Sequence, residues 1–162
     1  MRLRFPARRT FWSANAILLY IALFKLTIHL LTSNRYGYFI DELYTIACGR
    51  HPAFGYADIT PLVPILCRLS GLVLGYSLPA IRVLPALAGA VTVFVVGLTA
   101  RRLGGGRFAQ GLAAAAVALG PVWLSSNSFM AYDGFNLLMT ALFFYVIAGI
   151  LDRPLDTVEP TI

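Results

Sequence analysis

Three of the seven acidic residues in the chain, Asp41, Glu42 and Asp58, fall within residues 36–64, and a fourth, Asp133, stands alone ahead of an apolar run. A carboxylate in so apolar a setting has two chemical uses. Partly desolvated, its pKa rises and it serves as a general base on an alcohol or amine; paired with a second acid, it ligates a hard divalent cation. Tyr36, Tyr38, Phe39 and Tyr44 surround the Asp41–Glu42 pair with rings suited to the boundary between lipid headgroups and hydrocarbon. A structural use competes, because acids are favoured in a first helical turn and Asp41 or Glu42 would cap a short helix starting at Leu43. His51 lies near the acids, but as a lone His it makes a poor metal ligand. Cys48 and Cys67 form no metal spacing and no CxxC pair, and read as unpaired residues packed like small apolar ones.

The elements that position these residues are set by composition. With 59% hydrophobic and 12% charged residues, the chain does not read as a soluble domain. The net charge of +6 does not point to nucleic acid, because the arginines gather in an N-terminal tail and an "ARRLGGGR" turn, each beside an apolar run. "GGGR" lacks both Walker spacing and a preceding strand, so it reads as a tight turn rather than a phosphate cradle. The expected fold class is all-α: a polytopic membrane helix bundle with about four transmembrane helices, over residues 11–31, 80–100, 107–126 and 135–151. The first of these is too long for a signal peptide core and has no A-x-A pattern after it. Within it, Lys25 and His29 share one face and should point at protein or snorkel out of the lipid.

The run at 61–78 is apolar but interrupted by Pro64, Arg68, Gly71 and Gly75. If it does not cross, Arg2, Arg4, Arg8, Arg9, Arg101, Arg102, Arg107 and Arg153 share one side, as the positive-inside rule requires, and Asp41, Glu42, Asp58 and Asp133 share the other. Four spans with both termini cytoplasmic follow, with residues 33–79 as an outer loop holding short interfacial helices. Residues 152–162, with two prolines, three acids and no apolar period, read as a disordered cytoplasmic tail. Trp123 and Tyr132, near the outer ends of spans, are interfacial anchors first and sugar-stacking platforms second.

From "YFIDELYTIACGRH" through "FGYADITPLVP", "GYSLPAIRVLPALAG" and "ARRLGGGRFAQ" to "FMAYDGFNLL", residues 35–150 resemble the N-terminal part of bacterial GT-C membrane glycosyltransferases, in the group of protein O-mannosyltransferases and lipid A aminoarabinose transferases. The resemblance implies an enzyme of the bacterial inner membrane that moves a sugar from a polyprenyl-phosphate carrier to an acceptor glycan, lipid or protein outside the cytoplasm. It implies that Asp41 is the catalytic base or acceptor-orienting group, with Glu42 and Asp133 as further site acids. It gives Tyr56 and Arg82 a substrate-binding role; Arg82 suits either a phosphate oxygen or one of the acids. The chain has Thr60 where the Tyr-x-x-x-Pro-Pro-Leu pattern has its first proline. A divalent cation is compatible with these acids and not required by them.

Enzymes of that group are about three times longer, so this chain corresponds to the front third and is expected to be a truncated product or to need a complementary membrane chain. The rival class is a non-enzymatic polytopic membrane subunit whose Lys25, Arg82 and acids only pair between helices. A small transporter with Lys25, His29 and Asp133 along a proton path is a third reading.

Overall fold

The computed structural model describes residues 11–151, so the arginine-rich N-terminal tail and the tail at 152–162 lie outside the described residues. Those described form seven helices and no strand: α1 (Phe11–Thr32), α2 (Ile40–Arg50), α3 (Leu62–Leu74), α4 (Leu78–Arg102), α5 (Arg107–Leu119), α6 (Pro121–Ser126) and α7 (Tyr132–Leu151). At 1.5 Å per residue, α1, α4 and α7 are about 30 Å long or more, enough to cross a hydrocarbon core. Their packing follows the logic of a membrane rather than of water. α7 buries Gly134, Phe135, Ala141 and Ala148, mostly small residues, and turns Phe143, Phe144, Val146 and Ile150 outward. In water those outward side chains would be the core; against lipid they cost nothing, while the small ones let backbones approach.

α4 is the central helix and packs against α1, α5 and α7. Leu18, Ala22, Val93, Ala114 and Val117 form the buried contact where α1, α4 and α5 meet. Hydrogen bonds fix the directions. Arg101 near the end of α4 reaches Asn15 near the start of α1 at 3.1 Å, while Arg82 near the start of α4 reaches Ser33 just past the end of α1 at 2.7 Å, so the two run antiparallel. Arg102 donates to the Tyr145 carbonyl at 2.9 Å and lies 3.6 Å above its ring, so α7 runs parallel to α4. A tight turn closed by Gly104 at φ 83°, a left-handed value that glycine tolerates, reverses the chain into α5.

The stretch expected as one helix over 107–126 is two helices broken at Gly120. Pro121 supplies no N–H, which leaves the Val117 carbonyl without its i→i−4 donor. The Lys25 ammonium takes that place, 3.3 Å from the Val117 oxygen and 3.2 Å from that of Trp123. Lys25 and His29 therefore face protein, not lipid, and both are buried. Despite the break, the α5–α6 pair runs from the end holding Arg101 and Arg102 to the end holding Ser33 and Arg82. α2 and α3, the short helices of the long loop, pack on each other, and α3 packs on α4. At 13 residues, about 20 Å, α3 is too short to cross a bilayer core.

Candidate functional site

Glu42 is the hub of the end of the bundle opposite Arg101 and Arg102. α2 begins at Ile40, three residues earlier than the capping reading places it, with Phe39 as N-cap. Glu42 is the third residue of the helix, and its carboxylate reaches back to accept the Phe39 N–H at 3.0 Å, the side-chain half of a capping box. The same carboxylate accepts from Arg82 Nε at 2.8 Å and Nη2 at 2.6 Å, and from the Met130 N–H at 3.1 Å. Arg82 donates its remaining N–H groups to the carbonyls of Ser33 at 2.7 Å, Tyr36 at 3.2 Å and Gly37 at 2.8 Å. All five guanidinium N–H groups are thus used. The Glu42 side chain is wholly buried and that of Arg82 is 6% exposed. A bidentate pair is the geometry in which a buried guanidinium and carboxylate offset the cost of leaving water. Of the two roles the sequence left open for Arg82, the geometry is that of the acid pair.

This knot ties four segments: the turn after α1, the start of α2, the first turn of α4, and the strap before α7. Phe39 stacks on Phe129 with ring centroids 4.8 Å apart, a second tie between α2 and that strap. The consequence concerns the two other acids. Asp41 adjoins Glu42 in the first turn of α2, and Asp133 follows Met130 by three residues in the first turn of α7. Both are half-buried, and neither carboxylate has a hydrogen-bond or ion-pair partner among the described residues. No three His, Cys, Asp or Glu side chains converge as a metal set among the described residues.

A cavity of about 270 Å³ opens between α3 and α7, lined by Asp58, Leu62, Val63, Tyr132, Phe135 and Asn136 among others; neither Asp41 nor Asp133 lines it. Asp58 accepts a hydrogen bond from the Tyr44 hydroxyl, and that bond pushes the phenol's pKa well above its usual value. Tyr56 serves the loop that follows α2: its hydroxyl bonds the carbonyls of Cys48 at 2.8 Å and His51 at 3.0 Å and accepts the Ala53 N–H at 3.1 Å. His51 is exposed at the C-terminus of α2, and Trp123 sits against Lys25 rather than in this cavity. Cys48 and Cys67 are free and buried; burial, and then the Glu42 carboxylate, pushes the Cys67 thiol up to about 11.

Two residues, the buried Asn127 and the exposed Ser128, carry chemistry that sequence reasoning did not single out. Asn127 is 1% exposed, and both its amide nitrogen and its oxygen lack a partner; the role of Ser128 is to contact His29 Nδ1 at 3.4 Å. An Asn-Ser pair between two apolar helices is an ordinary turn signal, so only tertiary contact reveals it. Comparison of the chain with protein-family models, curated proteins and solved structures yields no match.

Proposed function

We propose that the chain is the N-terminal portion of a membrane glycosyltransferase of the bacterial inner membrane, acting on a polyprenyl-phosphate sugar at the extracytoplasmic face. In this reading α1, α4, the broken α5–α6 pair and α7 make four crossings, α2 and α3 lie along the interface, and both termini are cytoplasmic. The observation that supports it best is the placement of Asp41 and Asp133. They are two half-buried carboxylates without protein partners, at the starts of helices cross-tied through Glu42 and Met130. They stand at the end of the bundle away from Arg101 and Arg102, the end where a cavity of about 270 Å³, close to the size range of small-molecule sites, is lined by Asp58 and Tyr132.

Asp41 takes the proton of an acceptor hydroxyl or amine as that group attacks the anomeric carbon, and the bond from that carbon to the carrier phosphate breaks. The phosphate departs already ionised and needs no acid. Asp133 orients the acceptor. Glu42 and Arg82, saturated by each other and by backbone groups, hold the two turns in register and do not touch substrate. Tyr56 shapes the loop alongside.

Membranes containing the chain together with a complementary membrane chain that supplies the remaining spans, given radiolabelled polyprenyl-phosphate sugar, should transfer label to an acceptor. Asp41→Asn should cut that transfer about a hundredfold or more at unchanged protein level. Undiminished transfer by Asp41→Asn removes Asp41 from the mechanism. The rival reading, a non-enzymatic membrane subunit, draws support from Lys25 and Arg82, which both satisfy protein groups, and it predicts no labelled product from any variant.

A further inference from the structure

A second, smaller cavity, about 70 Å³, lies inside the same end of the bundle, apart from Asp41 and Asp133. Its floor is His29, Ser33, Arg82 and Asn127, each less than a tenth exposed, and its mouth is formed by the exposed Thr32, Tyr36 and Ser128. Polar groups left unsatisfied in a buried site cost free energy, and a native fold rarely leaves several together unless something meets them. Here three such atoms gather: His29 Nε2, Asn127 Nδ2 and Asn127 Oδ1.

The hydrogen bonds of Ser128 decide what His29 offers. Ser128 Oγ gives its only proton to the Leu124 carbonyl at 2.7 Å, so its contact with His29 Nδ1 requires the imidazole N–H on that nitrogen. Nε2 then carries a lone pair and asks for a donor. Asn127 Nδ2 offers two N–H groups and asks for acceptors. An occupant must therefore both accept and donate. Charge narrows the choice. The nearby buried charges are Lys25, Arg82 and Glu42; Glu42 neutralises Arg82, and Lys25 bonds only carbonyl oxygens. A methyl group built on Gly89 would lie 2.6 Å from Asn127 Cγ and 2.9 Å from Lys25 Cε, so the uncompensated cation and the amide press on the same glycine of α4. The field in the cavity is positive.

We propose that this cavity is a binding site for a singly protonated phosphate group, either inorganic phosphate or the headgroup of a phosphomonoester lipid entering past Thr32 and Tyr36. The phosphate oxygens accept from Asn127 Nδ2 and its P–O–H donates to His29 Nε2, while Lys25 and the Arg82–Glu42 pair set the potential. The volume holds one tetrahedral oxyanion, in place of roughly two waters at about 30 Å³ each. The shared proton sets the selectivity. A phosphomonoester, with its second pKa near 6, carries that proton in about a tenth of molecules at pH 7, and binding draws on that fraction; sulfate has the same shape and no proton, and a phosphodiester has none either. This site does not depend on the glycosyl-transfer reading.

The test is calorimetric titration at pH 7 of the full chain in phosphatidylcholine nanodiscs. Inorganic phosphate should saturate one site, and sulfate should bind at least tenfold more weakly, about the worth of one buried hydrogen bond. Asn127→Asp, which puts a negative charge on the floor, should abolish phosphate binding, and His29→Phe should remove the preference over sulfate. Nanodiscs doped with phosphatidic acid should block the titration if the lipid headgroup is the source, with phosphatidylglycerol as the diester control; an unblocked titration assigns the site to free phosphate. Sulfate binding as tightly as phosphate overturns the proposal without recourse to any variant. So does an absence of saturable binding by both phosphate and phosphatidic acid, or binding untouched by Asn127→Asp; each of these leaves the cavity to water.

Discussion

Replacing Arg82 by alanine should be among the most damaging single changes in the chain. The carboxylate of Glu42 would remain wholly buried with only the Phe39 and Met130 N–H groups against its charge, and the carbonyls of Ser33, Tyr36 and Gly37 would each lose a donor. Breaking one side of a buried ion pair costs about 3–5 kcal/mol. The three carbonyls add roughly 1 kcal/mol each where water fails to reach them. At about 2–4 °C per kcal/mol for a protein of this size, the midpoint of thermal unfolding should fall by on the order of 20 °C. Arg82→Lys keeps the charge, but three N–H groups cannot meet five acceptor contacts, so roughly half of the alanine effect is expected. Changing both partners to methionine should cost less than either truncation alone, because no orphaned charge remains. Cys48 and Cys67 supply the assay. Both are buried in the folded protein, so the temperature at which a thiol-reactive fluorophore labels the detergent-solubilised protein reports unfolding. Wild-type stability in Arg82→Lys, or a double variant as unstable as the sum of the two singles, would refute this account of the knot.

Two further outcomes follow from the same structure. Lys25→Met should cost about 2–3 kcal/mol by stranding the Val117 and Trp123 carbonyls, and adding Pro121→Ala, which restores an N–H opposite Val117, should recover about 1 kcal/mol in the same thiol assay. The Tyr44–Asp58 bond holds the Tyr44 proton in the folded state, so its contribution is complete below the ordinary tyrosine pKa of about 10 and is lost as pH rises through the raised folded value. Ultraviolet titration of tyrosinate should show one late phenol in the wild type that moves down toward 10 in Asp58→Asn.

The three long helices were legible because an apolar run of bilayer length is a local property. The short α3 was kept out of the span count by the placement of the arginines under the positive-inside rule, and its 13 residues are too few to cross. The break at Gly120 was less legible. The hydropathy of 107–126 is continuous, and only the geometry shows that Pro121 leaves a carbonyl for Lys25 to satisfy nearly a hundred residues away in sequence. The Asp41–Glu42 pair drew attention for its carboxylates, yet the two residues part company: the helical turn sends Glu42 inward to Arg82 and leaves Asp41 half-exposed. No spacing rule distinguishes neighbours of the same charge. The cavity at His29 and Asn127 was hidden for a related reason, since its members come from α1, α4 and the turn after α6, and its meaning lies in hydrogen bonds that are not made.

The shared placement of Asp41 and Asp133 is the claim on which the functional reading stands, and side-specific thiol labelling tests it most directly. Asp41→Cys and Asp133→Cys would each be introduced with Cys48 and Cys67 left in place, since those two are shielded by burial. In intact cells a membrane-impermeant maleimide should label both new thiols, and in inside-out vesicles it should label neither. Labelling of the two positions from opposite sides of the membrane would contradict the account.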